Sequence, residues 1–149
     1  MTAHVRPART ADAPQLGEIL WRFQHDKGWM PDLYTLAECI RYCEVMIDRG
    51  WVSVVQSGAE IGGFVARDEA EICALYVAQW ANGQGVGKLL LDEAKAQRPD
   101  LWLRCVQENR GARRFYRREG FVETARGDGS DTDVNLPDIT FEWKREASQ

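Results

Sequence analysis

Histidine is almost missing from this chain, with two in 149 residues, His4 and His25. Two imidazoles and no Cys-x-x-Cys pair leave no ligand set with zinc spacing, so no metal is expected. The four cysteines are Cys39, Cys43, Cys73 and Cys105. The first two stand one helical turn apart and the others lie inside apolar strand runs, which suits reduced, structural thiols and a cytoplasmic compartment. No apolar run approaches the ~20 residues of a membrane span, and residues 1–7 lack the apolar core of a signal peptide. A basic excess is missing too: the net charge is −4, which argues against general nucleic-acid affinity. Repeats, linkers and low-complexity tracts are also absent, so residues 1–149 are expected to form a single domain.

What is present is 44% hydrophobic and 28% charged, the balance of a globular domain. Val5–Ala8 reads as a first strand, with Pro7 marking an edge or a bulge. Thr10 or Asp12 opens a helix to about Asp26, with Leu16, Ile19, Leu20 and Phe23 on one face. Thr35-x-x-Glu38 is a capping box for a second helix ending near Gly50. Strands follow over 51–56, 61–67 and 71–77, the first two joined by the hairpin 57–60. A helix over 85–97, a strand over 101–106, a helix over 109–119 and strands over 121–125 and 139–144 complete the chain. The order is β-α-α-β-β-β-α-β-α-β-β. It predicts an α/β (α+β mixed) fold with a central twisted mixed sheet flanked by helices.

The most telling run is Asn82-Gly83-Gln84-Gly85-Val86-Gly87-Lys88, set between an apolar strand and an amphipathic helix. Alternate glycines let backbone N–H groups turn toward a ligand, and the helix adds its positive end, so the run suits a phosphate or pyrophosphate. It is not a Walker A loop, because Leu89 follows Gly87-Lys88 and Asn82 stands where glycine is needed. Nor is it the dinucleotide fingerprint, because Lys88 occupies the third glycine position.

Read with its surroundings, the run resembles the coenzyme A loop of the GNAT N-acetyltransferase superfamily, whose pattern is Gln/Arg-x-x-Gly-x-Gly/Ala. Gly85 and Gly87 match; Asn82 departs from Gln/Arg. A second element, Asn109-x-x-Ala112-x-x-Phe115-Tyr116-x-x-x-Gly120-Phe121, is similar to the family's second coenzyme A motif. The element order over residues 5–145 is also the family's. The resemblance implies a single N-acetyltransferase domain that moves an acetyl group from acetyl-CoA to a primary amine. The acceptor, whether small molecule, peptide or protein, is unidentified. A non-catalytic acyl-CoA sensor or interaction module, and an enzyme for a longer acyl group, are the alternatives. Homodimers are common in the resembled family; nucleic acid and membrane are not expected partners.

The resemblance also implies roles. Tyr116 would be the general acid to the departing thiolate, since a phenol with a pKa of about 10 is protonated at neutral pH. Glu71, eleven residues before Asn82, would be the base that deprotonates the ammonium, with Glu69 a rival. The Leu75 N–H would polarise the acetyl carbonyl and Val77 would pair with the pantetheine arm. Asn82, Gly83, Gln84, Gly85, Val86, Gly87 and Lys88 would hold the pyrophosphate. Asn109 would contact the pantetheine, cap the following helix, or do both. The arginines of 110–118 form a solvated basic face, a subset of which could meet phosphates. Trp21, Phe23, Trp29, Met30 and Tyr34 line either the core or an acceptor wall. The acidic loop 128–133 is either solvated or attractive to a cationic amine.

Overall fold

The computed structural model describes residues 3–146. Seven strands form one sheet: β1 (Ala3–Pro7), β2 (Val52–Ser57), β3 (Glu60–Asp68), β4 (Glu71–Val77), β5 (Asp100–Val106), β6 (Val122–Gly127) and β7 (Asp138–Lys144). Four helices accompany them: α1 (Ala13–Asp26), α2 (Leu36–Asp48), α3 (Val86–Gln97) and α4 (Arg110–Arg118). The element order is the expected one. Boundaries differ where pairing decides them. β1 starts earlier because Ala3 and His4 pair with Ser57 and Gln56, and a 3-10 turn over Thr10–Asp12 precedes α1. Among the described residues, no helix is long and apolar enough to cross a membrane.

The α2 cap forms as its spacing dictates, with Thr35 Oγ1 accepting from the Glu38 N–H at 3.1 Å and Glu38 Oε1 accepting from the Thr35 N–H at 3.0 Å. α1 crosses α2 at Gly17, where a Cβ would lie 2.6 Å from the Ile40 Cα. Only glycine permits that approach.

Adjacent strand residues point to opposite faces, and β3 shows which layer covers which. The Phe64 ring meets Tyr76, which meets Phe23 of α1, while a Cβ on Gly63 would press on Val86 and Leu90 of α3. Helices α1 and α2 therefore cover one face and α3 the other. Both faces of β3 are dry: Ile61 through Ala66 are all buried.

The sheet order is β1-β2-β3-β4-β5-β7-β6. Every neighbouring pair is antiparallel except β4 and β5, which are parallel and bridge only at Glu71 and Trp102. A bulge leaves Cys73 without a partner on β3, since Ala66 pairs with Ala74 and Arg67 with Ile72. Beyond that point β4 and β5 part. The sheet is split, and the split positions the site.

Candidate active site

The parting of β4 from β5 leaves one edge of β4 unpaired. On the β3 side, the Ala78 N–H donates to Gly62 O at 2.8 Å. Backbone direction alternates along a strand, so the N–H groups of Leu75 and Val77 point into the opening. An unpaired strand edge is a template for an extended ligand that carries amides.

β4 runs through a 3-10 turn over Gln79–Ala81 into the glycine loop. Gly83 and Gly85 adopt left-handed backbone, φ +78° and +79°, and Gly85 caps α3. No side chain caps this helix, and the N–H groups of Gly83, Gly85, Val86, Gly87 and Lys88 have no protein acceptor among the described residues. Unpaired amides at a helix N-terminus attract anions. Gly87 serves a different need. Its φ is ordinary, but a Cβ there would lie 3.3 Å from the Phe115 ring of α4.

These groups line one cleft of about 1020 Å³, which takes in Leu75 to Gly83, Gly85 to Lys88, Ala112, Phe115 and Tyr116, together with Phe23 and Lys27 of α1. Tyr116 is 7% exposed, packed against Phe115, Phe121 and Phe141. Its hydroxyl has no hydrogen-bond partner among the described residues, although Tyr116 borders the cleft. Burial, and then the neighbourhood of Cys105 and Tyr76, raises its pKa above the ordinary phenol value. The phenol therefore stays protonated over the whole neutral range.

Other sequence-predicted residues stand apart from the cleft lining or turn their side chains to protein partners. Glu71 begins β4, on the near side of the bulge, half-buried. Glu69 sits in the β3–β4 turn with its carboxylate 3.4 Å from Arg98 Nη1. Gln84 turns away, donating to Trp80 O at 3.0 Å. Asn109 Oδ1 accepts from the Ala112 N–H at 3.2 Å, so it caps α4. Lys88 borders the cleft, but its ammonium lies 3.2 Å from Glu119 and 3.3 Å from Asp92. The Cys43 thiol is pushed up to about 12 and that of Cys105 to about 11 by burial, so neither is a nucleophile at neutral pH.

Sequence reasoning passed over Tyr76, a second phenol in the cleft, held by Phe23 at 5.0 Å and Phe64 at 5.8 Å. It also passed over Trp80, exposed beside the glycine loop. Their only signal was an aromatic on either side of Val77–Gln79. Gln24 was missed as well; it reads as a polar residue on α1 but is buried.

The profile of the acetyltransferase (GNAT) domain family matches residues 45–123. The 5-NmdU N-acetyltransferase of Pseudomonas phage PaMx11 is 34% identical over 97 residues, covering 58% of this chain and 69% of that protein. The peptidyl-lysine N-acetyltransferase YjaB of Salmonella typhimurium is 31% identical over 87 residues, covering 58% of this chain and 59% of that protein. In fold, the chain is similar to yncA from Salmonella typhimurium, whose structure holds its cofactor acetyl-CoA, with a TM-score of 0.76, 18% identity, and 100% and 97% of the two chains covered.

Proposed function

The chain belongs to the GNAT acetyltransferase family and carries its acetyl-CoA-dependent N-acetyltransferase chemistry, and we propose the following division of that work among its residues. The amides of Gly83, Gly85, Val86, Gly87 and Lys88 hold the pyrophosphate. The open edge of β4 aligns the pantetheine arm, Val77 pairing with one of its amides and the Leu75 N–H donating to the thioester carbonyl. A thioester supplies an acyl carbon that an amine attacks, with a thiolate as leaving group. Tyr116 delivers its proton to that leaving sulfur, and the Leu75 N–H stabilises the oxygen as it gains charge. The observation that carries this reading is the row of unpaired amides on loop and β4 edge, facing one cleft with an unpartnered phenol.

The acceptor is a primary amine. It must lose a proton before it attacks, and Glu71, four residues before Leu75 along β4 and about 13 Å away at strand rise, takes that proton through a chain of several waters. The acceptor arrives on the α1/α2 face, because α3 and α4 occupy the other. Asp32 and Asp133 stand on that side and suit an ammonium-bearing acceptor, of which a peptidyl lysine, as in the Salmonella relative, is one chemistry.

Two measurements test this. Titration calorimetry should show coenzyme A binding that is lost with the left-handed loop glycines. A panel of alkyl diamines, spermidine and blocked lysine peptides, followed with radiolabelled acetyl-CoA, should contain an amine acetylated above the solution rate. Tight coenzyme A binding with no turnover across the panel would refute the catalytic roles of Tyr116 and Glu71.

A further inference from the structure

Gln24 is 4% exposed, and every hydrogen-bonding direction of its amide toward the following loop is used. Its Oε1 accepts from the N–H groups of Leu33 at 3.0 Å and Tyr34 at 2.9 Å. Its Nε2 donates to Asp32 Oδ1 at 3.0 Å and to Tyr34 O at 2.8 Å. One side chain thus fixes three consecutive residues between α1 and α2. Tyr34, so held, donates its hydroxyl to Asp133 Oδ2 at 2.8 Å, joining residues 99 apart in sequence.

The second loop is anchored from its other side. Arg104 of β5 donates to Asp131 at 2.9 Å, and the Gln107 N–H donates to Pro137 O at 2.9 Å. Leu103 and Cys105 are buried, so Arg104, alternate to both, lies on the other face of β5, away from Tyr116. The loop before α2 rests on the β4 half of the sheet, because Phe23, next to Gln24, packs on Tyr76. The loop between β6 and β7 rests on the β5 half. The Tyr34–Asp133 bond therefore crosses from one side of the split to the other, on the face from which the acceptor must come.

We propose that Gln24 is a positioning residue for the acceptor, acting through Tyr34, whose bond to Asp133 joins the two loops into one ordered rim around the acceptor's opening. This rests on the acetyltransferase roles proposed for the cleft. An exposed hydrogen bond contributes little to global stability, so its worth lies in local order. The bond also holds the Asp133 carboxylate beside Tyr34, where its charge favours a cationic amine over a neutral or anionic one.

The test uses the full chain. Tyr34→Phe removes only the hydroxyl and leaves the fold. Hydrogen exchange should quicken in both 30–35 and 128–136, although the substitution lies in only the first. With whichever panel amine the wild type turns over, the acceptor KM should rise roughly three- to tenfold, as for loss of one hydrogen bond, while the acetyl-CoA KM is unchanged. Adding Tyr34→Phe to Asp133→Ala should cost nothing beyond Asp133→Ala itself, since the bond is then already gone. Gln24→Glu keeps the size but sets a carboxylate against Asp32 and the Tyr34 carbonyl. It should raise the acceptor KM at least as much, and adding Asp32→Asn should restore part of the loss. Unchanged exchange in 128–136, or additive effects on acceptor kcat/KM, would overturn the rim. A wild type that turns over no amine would instead refute the proposed function, and the exchange measurement would still decide the coupling of the loops.

Discussion

Lys88 Nζ stands 3.2 Å from Glu119 Oε1, tying the first turn of α3 to the end of α4 across the mouth of the cofactor cleft. The Glu119 side chain is 8% exposed and also meets Arg118. Lys95 donates to the Glu119 carbonyl. Two cations thus meet the carboxylate and a third meets the carbonyl of the same residue, and Lys88 holds the two helices rather than reaching toward a phosphate. Lys88→Ala is expected to lower coenzyme A affinity less than tenfold in calorimetry, because the backbone amides remain.

The loop glycines fail in two different ways. Gly83 and Gly85 have open space around a notional Cβ, so Gly85→Ala is limited by its left-handed φ, a cost of about 1–2 kcal/mol. At Gly87 the limit is the Phe115 ring. Gly85→Ala should shift the loop amides and weaken coenzyme A binding with a small change in Tm. Gly87→Val should push α4 from α3, losing binding and lowering Tm together. Equal Tm losses in both would contradict this distinction.

Tyr116→Phe should reduce kcat by about 100-fold, within the range for one proton donor, with coenzyme A affinity nearly unchanged. Burial raises the phenol, so it does not titrate over the range in which an amine acceptor loses its proton. The alkaline side of the kcat profile should therefore not fall between pH 8 and about 10, the ordinary phenol value. The same shift bears on stability. A raised folded-state pKa gives stability that is complete below the unfolded value of about 10 and declines as pH rises beyond it. Alkaline unfolding should set in later for Tyr116→Phe than for the wild type, measured relative to each protein's stability at pH 8.

Glu71→Gln keeps shape and removes the proposed base. Its rate loss should shrink as pH approaches about 10, where an alkyl ammonium deprotonates unaided. Tyr116→Phe should show no such rescue. Wild-type rates for Glu71→Gln at every pH would make Glu71 a structural carboxylate at the head of β4.

Asp12 predicts the acid limit of stability. Arg6 donates to both of its carboxylate oxygens, at 2.9 and 3.0 Å, and the Arg9 N–H at 2.7 Å. The Arg6 hydrogen bonds, more than offsetting desolvation, hold the carboxyl below its ordinary value. A depressed folded pKa gives stability that is present above the unfolded value of about 3.9 and lost as pH falls through the folded one. Asp12→Asn should cost about 1–3 kcal/mol at neutral pH, in line with hydrogen bonds to a charged group, and flatten the acid arm of the unfolding curve below about pH 4.

The sequence alone determined what is local. Thr35 and Glu38 cap α2, Gly50 ends it, and Gly83 and Gly85 turn the chain into α3, because each depends on dihedral preferences or contacts within a few residues. Helical and alternating spacings likewise gave all eleven elements in order, and two motifs in sequence pointed to the family. Only the tertiary structure decided how the site is assembled. The single bridge between Glu71 and Trp102 opens the edge of β4, and a bulge at Cys73 separates Glu71 from Leu75. The ammonium of Lys88 turns to Glu119, and Tyr34 meets Asp133. These depend on strand register and on contacts between segments far apart in the chain, where one residue's slip reverses which face a side chain takes. No local preference carries that information.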